Sequence, residues 1–189
     1  MKQWRISIFS LILCVWGLSN LLHAQEFSVR SGIYDFTDLT TREFYVVAPT
    51  LLVGYDFWTL SRLSFQVTSG ISYNTAKYNA DRHHLIMIPF FLTASYNLPN
   101  PHARLFPVIG GGLSMMLKMD QNATLSKVHY GLTYGVQASG GLRYALRPGL
   151  LLTFDVAYHI FVPFTTEESN INGFIYSAGI RIPVSWKRK

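Results

Sequence analysis

Four histidines, His83, His84, His129 and His159, have the chemistry for proton transfer or metal ligation. Seven charged residues, Arg30, Asp56, Arg62, Lys118, Arg143, Asp155 and Arg181, stand at positions that alternate with apolar ones. A histidine beside a serine could activate the hydroxyl for acyl transfer. The sequence has no His-x-Ser or Ser-x-His spacing, and no nucleophile has an evident base. We therefore expect no catalytic residue, no cofactor-binding residue and no metal site, and the rim and loop histidines read as solvated. Gly110-Gly111-Gly112 is not a phosphate loop, because the Lys and Ser/Thr that bind nucleotide are missing and no helix follows.

The charges have to be carried by strands. Between Val128 and Tyr144 every second residue is large and apolar or aromatic, apart from Ala138 and Gly140. His129, Gly131, Thr133, Gly135, Gln137, Ser139, Gly141 and Arg143 fall between them. A period of two is an extended strand, with successive side chains on opposite faces. Bulk on one face and small or polar groups on the other fits a transmembrane barrel, with lipid outside and little room inside. The same alternation predicts strands over Phe27–Phe36, Phe44–Phe57, Arg62–Asn74, Leu85–Leu98, Leu105–Lys118, Val128–Tyr144, Leu150–Phe161 and Phe174–Trp186. The outward aromatics at their ends, Tyr45, Tyr96, Tyr144 and Tyr176 among them, should form two girdles at headgroup level.

An even number of strands, each about as long as a tilted crossing needs, can close without an edge. The short turns Trp58–Ser61, Pro99–Ala103 and Leu146–Gly149 go to the periplasmic side. Loops Thr37–Glu43, Thr75–His84, Met119–Ser126 and Val162–Gly173 go to the outside.

Alternation turns all seven charges inward, where they form an interior polar network: Arg30, Asp56, Arg62, Lys118, Arg143, Asp155 and Arg181. Hairpin geometry predicts Asp56 opposite or diagonal to Arg62 across one turn. It places Asp155 diagonal to Arg143 and to Arg181. A narrow barrel so filled reads as a plug of salt bridges rather than a gate or polar conduit.

Met1–Arg5 is short and basic, Ile6–Ser19 apolar, and Leu22-His23-Ala24 closes a polar stretch, which is the layout of a cleaved signal peptide. This divides the chain into a leader, 1–24, and one barrel domain, 25–189. The single cysteine, Cys14, leaves with the leader, so no disulfide holds the exported domain. Loss of Lys2 and Arg5 takes the formal charge from +6 to +4, and the basic residues are scattered, with no nucleic-acid footprint. The sequon Asn122-Ala123-Thr124 is a chance match.

Ile88-Pro89-Phe90 through Tyr96-Asn97-Leu98, followed by Leu105-Phe106-Pro107-Val108-Ile109-Gly110-Gly111-Gly112, resembles the strand, short turn and proline-then-glycine strand of the small outer-membrane β-barrels. That family includes the transmembrane domain of OmpA together with OmpX and OmpW. The resemblance covers the mature chain and implies an all-β, eight-stranded, antiparallel, up-and-down barrel in the outer membrane of a Gram-negative envelope. It implies a monomer whose partners are outer-membrane lipids and, during biogenesis, the barrel-assembly machinery. A structural envelope role follows, without a cofactor. Three other roles stay open: an OmpW-like conduit for small hydrophobic molecules, for which Met87, Phe91 and Met116 are the inward hint, an accessory barrel of a secretion or assembly machine, and an acyl enzyme of lipid A. Trp186 is followed by Lys187-Arg188-Lys189, whereas family members commonly end on an aromatic residue.

Overall fold

The computed structural model describes residues 26–45, 47–78, 81–99, 104–122, 127–162 and 170–183. The leader 1–24, the end of the eighth strand with Trp186, the basic tail and the turn residues 100–103 lie outside the described residues.

Eight strands form one closed sheet in chain order: β1 (Glu26–Phe36), β2 (Val47–Leu60), β3 (Leu63–Tyr78), β4 (Asp81–Asn97), β5 (Leu105–Asn122), β6 (Lys127–Arg147), β7 (Leu150–Val162) and β8 (Gly173–Pro183). Every neighbouring pair is antiparallel, and β1 closes on β8 with Val29 opposite Ile180. Closure leaves no unpaired edge, the condition for a sheet to stand in hydrocarbon. Among the described residues no helix is long and apolar enough to span a membrane.

The alternation seen in the sequence becomes two faces. Val53, Val67, Ile71, Leu113, Val136, Phe154 and Ile160 point outward and are exposed, while Ser28, Thr68, Ser72, Ser114, Thr133 and Gln137 are buried inside. A belt of aliphatic and aromatic side chains all round a barrel would be insoluble in water and is at home in lipid. Glu26 and Pro183 lie at the end that carries the β2–β3, β4–β5 and β6–β7 connections, and the hairpins that outrun the bilayer project from the other, which marks the first end as periplasmic. There Pro148-Gly149 forms a tight turn with Gly149 at φ 81°, a left-handed conformation that glycine takes without strain.

The outer end departs from expectation in three ways. The β5–β6 hairpin runs 18 and 21 residues, beyond the roughly 9 to 11 that cross a bilayer. Thr75–Tyr78, Asp81–His84 and Met119–Asn122, expected in loops, are paired strand, with Thr75 opposite His84 and Asn122 opposite Lys127, while 79–80 and 123–126 lie outside the described residues. Within the first connection sits a short helix, α1 (Leu39–Phe44), whose cap Asp38 accepts the Thr41 amide at 2.9 Å. The Thr41 hydroxyl donates to the Asn170 carbonyl at 2.8 Å, tying α1 to the last connection. Because the helix replaces the start of β2, Tyr45 is not an outward girdle residue. It is buried over the barrel axis and its hydroxyl donates to Asp120 at 3.3 Å. Burial, then the negative charge of Asp120, pushes the Tyr45 phenol above its ordinary pKa.

Candidate functional site

The lumen holds two layers. The layer nearer the periplasm is charged. Arg30 on β1 reaches past β8 to Asp155 on β7, with Nη1 3.2 Å from Oδ2. Its Nη2 donates to Gln66 Oε1 at 3.3 Å and to Thr68 Oγ1 at 3.1 Å. Gln66 in turn donates to Asp56 at 3.5 Å, and Asp56 accepts from Arg181 at 2.6 Å. Arg181 also meets Glu26 at 3.1 Å. The result is a continuous chain from Asp155 to Glu26 that laces β7, β1, β3, β2 and β8 together. Charges this deep persist only when paired and hydrogen-bonded, because desolvation costs each several kcal/mol. Gly141 makes room for it: a Cβ there would stand 2.5 Å from Asp155 Oδ1.

Arg30, Asp56, Arg143, Asp155 and Arg181 all face this layer. All three predicted pairings differ. Arg62 is not interior: it is exposed in the two-residue turn between β2 and β3. The reason is that the β2–β3 register sets Gln66 opposite Asp56 and closes at Leu60 opposite Leu63, which leaves Arg62 in the turn at the mouth. Asp56 therefore pairs with Arg181 rather than Arg62. Asp155 is diagonal to Arg143 in the ladder, since Gly141 faces Asp155, yet its ion pair goes to Arg30. It is not diagonal to Arg181 as expected: β8 sets Ser177 opposite Asp155 and Arg181 opposite Leu151, and Arg181 pairs with Asp56. Arg143 donates to Asn97 Oδ1 at 2.8 Å instead. Lys118 shares the inward face of Ser114 and Met116 at the outer end and is half-buried.

Above the charges lies an apolar layer of Tyr34, Phe36, Leu52, Met87, Phe91, Met116, Phe161 and Ile175, each 5 % exposed or less. Ile171 and Tyr45 cover it from the loops, and Tyr34 donates its hydroxyl to the Ile171 carbonyl at 2.5 Å. A cavity of about 40 Å³ lies between the layers, room for a few waters. The periplasmic mouth opens as a funnel of about 310 Å³, lined by Arg62, Arg143, Arg181 and Glu26 among others.

His159 sits where the layers meet. Its Nδ1 is 3.0 Å from Ser114 Oγ, and its ring lies 4.4 Å from Phe91 and 5.9 Å from Phe161, centroid to centroid. Sequence reasoning missed this serine–histidine contact because β5 and β7 are separated by β6, so no ladder arithmetic brings them together. His159 does stand opposite Gln137, as the pairing predicts. The dyad does not resemble a working nucleophile: it is fully buried, and the carboxylate on its own strand, Asp155, is four residues away, about 13 Å of strand. His84 and His83 lie at the outer rim, 3.0 Å from the Tyr73 hydroxyl and 3.5 Å from Asp120, and His129 is exposed. Among the described residues no three metal-ligating side chains come together.

No family model and no curated protein matches the sequence. Solved structures do. OprG, an outer membrane protein of Pseudomonas aeruginosa, superposes with a TM-score of 0.63 at 14% identity, over 85% of this chain and 96% of its own. Neisserial surface protein A gives 0.58 at 17%, over 84% and 95%. The outer membrane protein AlkL, solved in lipid bilayers, gives 0.54 at 18%, over 89% and 93%. The chain has the fold of a small eight-stranded integral outer-membrane β-barrel.

Proposed function

We propose that the protein is a closed, monomeric structural barrel of the outer membrane that conducts neither ions nor solutes. The observation carrying this reading is the filled lumen: an apolar layer packed to a few per cent exposure stacked on a salt-bridged one, with about 40 Å³ between them. Permeation would require both layers to move. Moving the upper one exposes buried aromatic surface, and moving the lower one separates ion pairs in a low-dielectric interior. The protein's contribution is then mechanical: a rigid cylinder that occupies and ties together the membrane around it. Planar-bilayer recording and liposome swelling test this directly. No unitary current and no swelling are expected, and reproducible single-channel events from the wild type would refute it.

A second reading has one observation in its favour. The apolar layer of Met87, Phe91 and Met116 has the chemistry to pass a small hydrophobic molecule, and the methionines are flexible enough to part. Uptake of a hydrophobic fluorophore into cells with and without the protein distinguishes the two: equal rates support the closed barrel.

A further inference from the structure

The two ends of the barrel differ sharply in charge. Each of the three periplasmic connections exposes one arginine: Arg62 in the β2–β3 turn, where it also borders the funnel, Arg104 before β5, and Arg147 at the end of β6. No carboxylate accompanies them in the turns, since the sequence has no Asp or Glu from 57 to 80, from 82 to 119 or from 121 to 154. Glu26, the one acidic residue at this end outside the lumen, is held by Arg181. At the outer end, by contrast, Asp35, Asp38, Glu43, Asp81 and Asp120 offset Arg42, Lys77, Arg82, Lys118 and Lys127.

The depth of the arginines is set by the sheet. The Arg62 carbonyl accepts the Asn97 amide and the Arg104 carbonyl accepts the Ala145 amide, each at 2.8 Å, which fixes two of the turns against their neighbouring strands. Exposed aromatics lie one step inward. Tyr96 is paired with Leu63, the residue after Arg62, and Tyr144 with Leu105, the residue after Arg104. Trp58, stacked on Phe65 at 5.0 Å, belongs to the same band. Tyr and Trp at an outward surface mark the headgroup boundary, so cations one residue beyond them stand at the depth of lipid phosphates.

We propose that this ring of turn arginines recruits anionic phospholipid around the periplasmic end of the barrel. The class of ligand is a lipid carrying net negative charge at its phosphate, such as phosphatidylglycerol, in preference to a zwitterionic one. The proposal does not depend on whether the lumen conducts. Each basic side chain near an anionic surface is worth roughly a fivefold preference, and salt weakens it.

Trp58 reports from within the ring. Protein purified from the membranes of an exporting host is placed in vesicles of phosphatidylcholine and phosphatidylglycerol, with bromine on the chains of one lipid or the other. Quenching of Trp58 is isolated by subtracting a Trp58→Phe variant. The wild type should show at least a tenfold relative preference for phosphatidylglycerol. That preference should fall to within twofold of unity in Arg62→Gln/Arg104→Gln/Arg147→Gln and in 1 M salt, while Arg42→Gln, at the other end, keeps it. Heat-modifiable gel mobility verifies that the triple variant is folded. A wild-type preference below tenfold, or one that survives in the folded triple variant, overturns the proposal. Should the triple variant not fold, the salt series on the wild type decides, and a preference unchanged by salt overturns it.

Discussion

Replacing Asp155 by alanine tests the lumen network at its most dependent link. At 3.2 Å, and with an effective dielectric of about 20, the Arg30–Asp155 attraction amounts to roughly 5 kcal/mol before desolvation is counted. Both side chains are shielded, at 10% and 18% exposure, so solvent screening takes only part of it away. Deleting one member of such a pair leaves the other buried and uncompensated, which typically costs about 3 to 5 kcal/mol. Here the loss should be smaller, about 2 to 4 kcal/mol, because Arg30 keeps its bonds to Gln66 and Thr68 and the adjoining cavity can admit water. The assay is reversible urea unfolding in lipid vesicles, followed by tryptophan emission and by heat-modifiable gel mobility. Asp155→Asn, which keeps the shape and drops the charge, should lose at least half as much. Arg30→Met/Asp155→Leu should lose less than either single variant, since the stranded charge is gone. A loss below about 0.5 kcal/mol for Asp155→Ala, or strict additivity in the cycle, refutes the network as a source of stability. A large single-channel current from this variant would refute the plug.

Three further perturbations follow from local geometry. Gly141→Ala places a methyl 2.5 Å from Asp155 Oδ1 and 2.6 Å from the Phe154 carbonyl, so a loss of about 1 to 3 kcal/mol in urea is expected, whereas Gly140→Ala, with its nearest atom at 3.9 Å, should be close to neutral. Phe91→Ala removes a ring 5% exposed within the apolar layer and should cost about 3 to 5 kcal/mol in urea unfolding, with the transition still cooperative. Ser61 holds φ at 54° in the β2–β3 turn, and Ser61→Gly should raise the urea midpoint by the equivalent of about 0.5 to 1 kcal/mol.

Periodicity made most of the architecture legible. On a pleated backbone the side-chain period is two, so the parity of a residue within its strand assigns it to lipid or to lumen without knowledge of its neighbours. That is why Arg30, Asp56, Arg143, Asp155 and Arg181 could be placed inward from the sequence, and why strict sequential pairing followed once the strands were counted. Parity fails where a residue is inserted. The bulge between Asp56 and Trp58 reverses the faces for the rest of β2, and Arg62 falls beyond the ladder in the turn, where parity no longer holds. Composition also misled at Phe44 and Tyr45, where two aromatics continued the alternation although Asp38 caps a helical turn that ends there.

What the sequence determined by itself is the sheet, its alternating faces and the sense of side chains within unbroken strands, because these depend only on local backbone geometry and on where lipid and water lie. The tertiary structure alone decided which interior groups meet. Arg30 finds Asp155 across an intervening strand, Ser114 finds His159 across β6, and Arg181 chooses Asp56. Those encounters depend on how the sheet curves and closes and on which long side chains cross the lumen, quantities set by the whole ring of strands and encoded in no single stretch of chain.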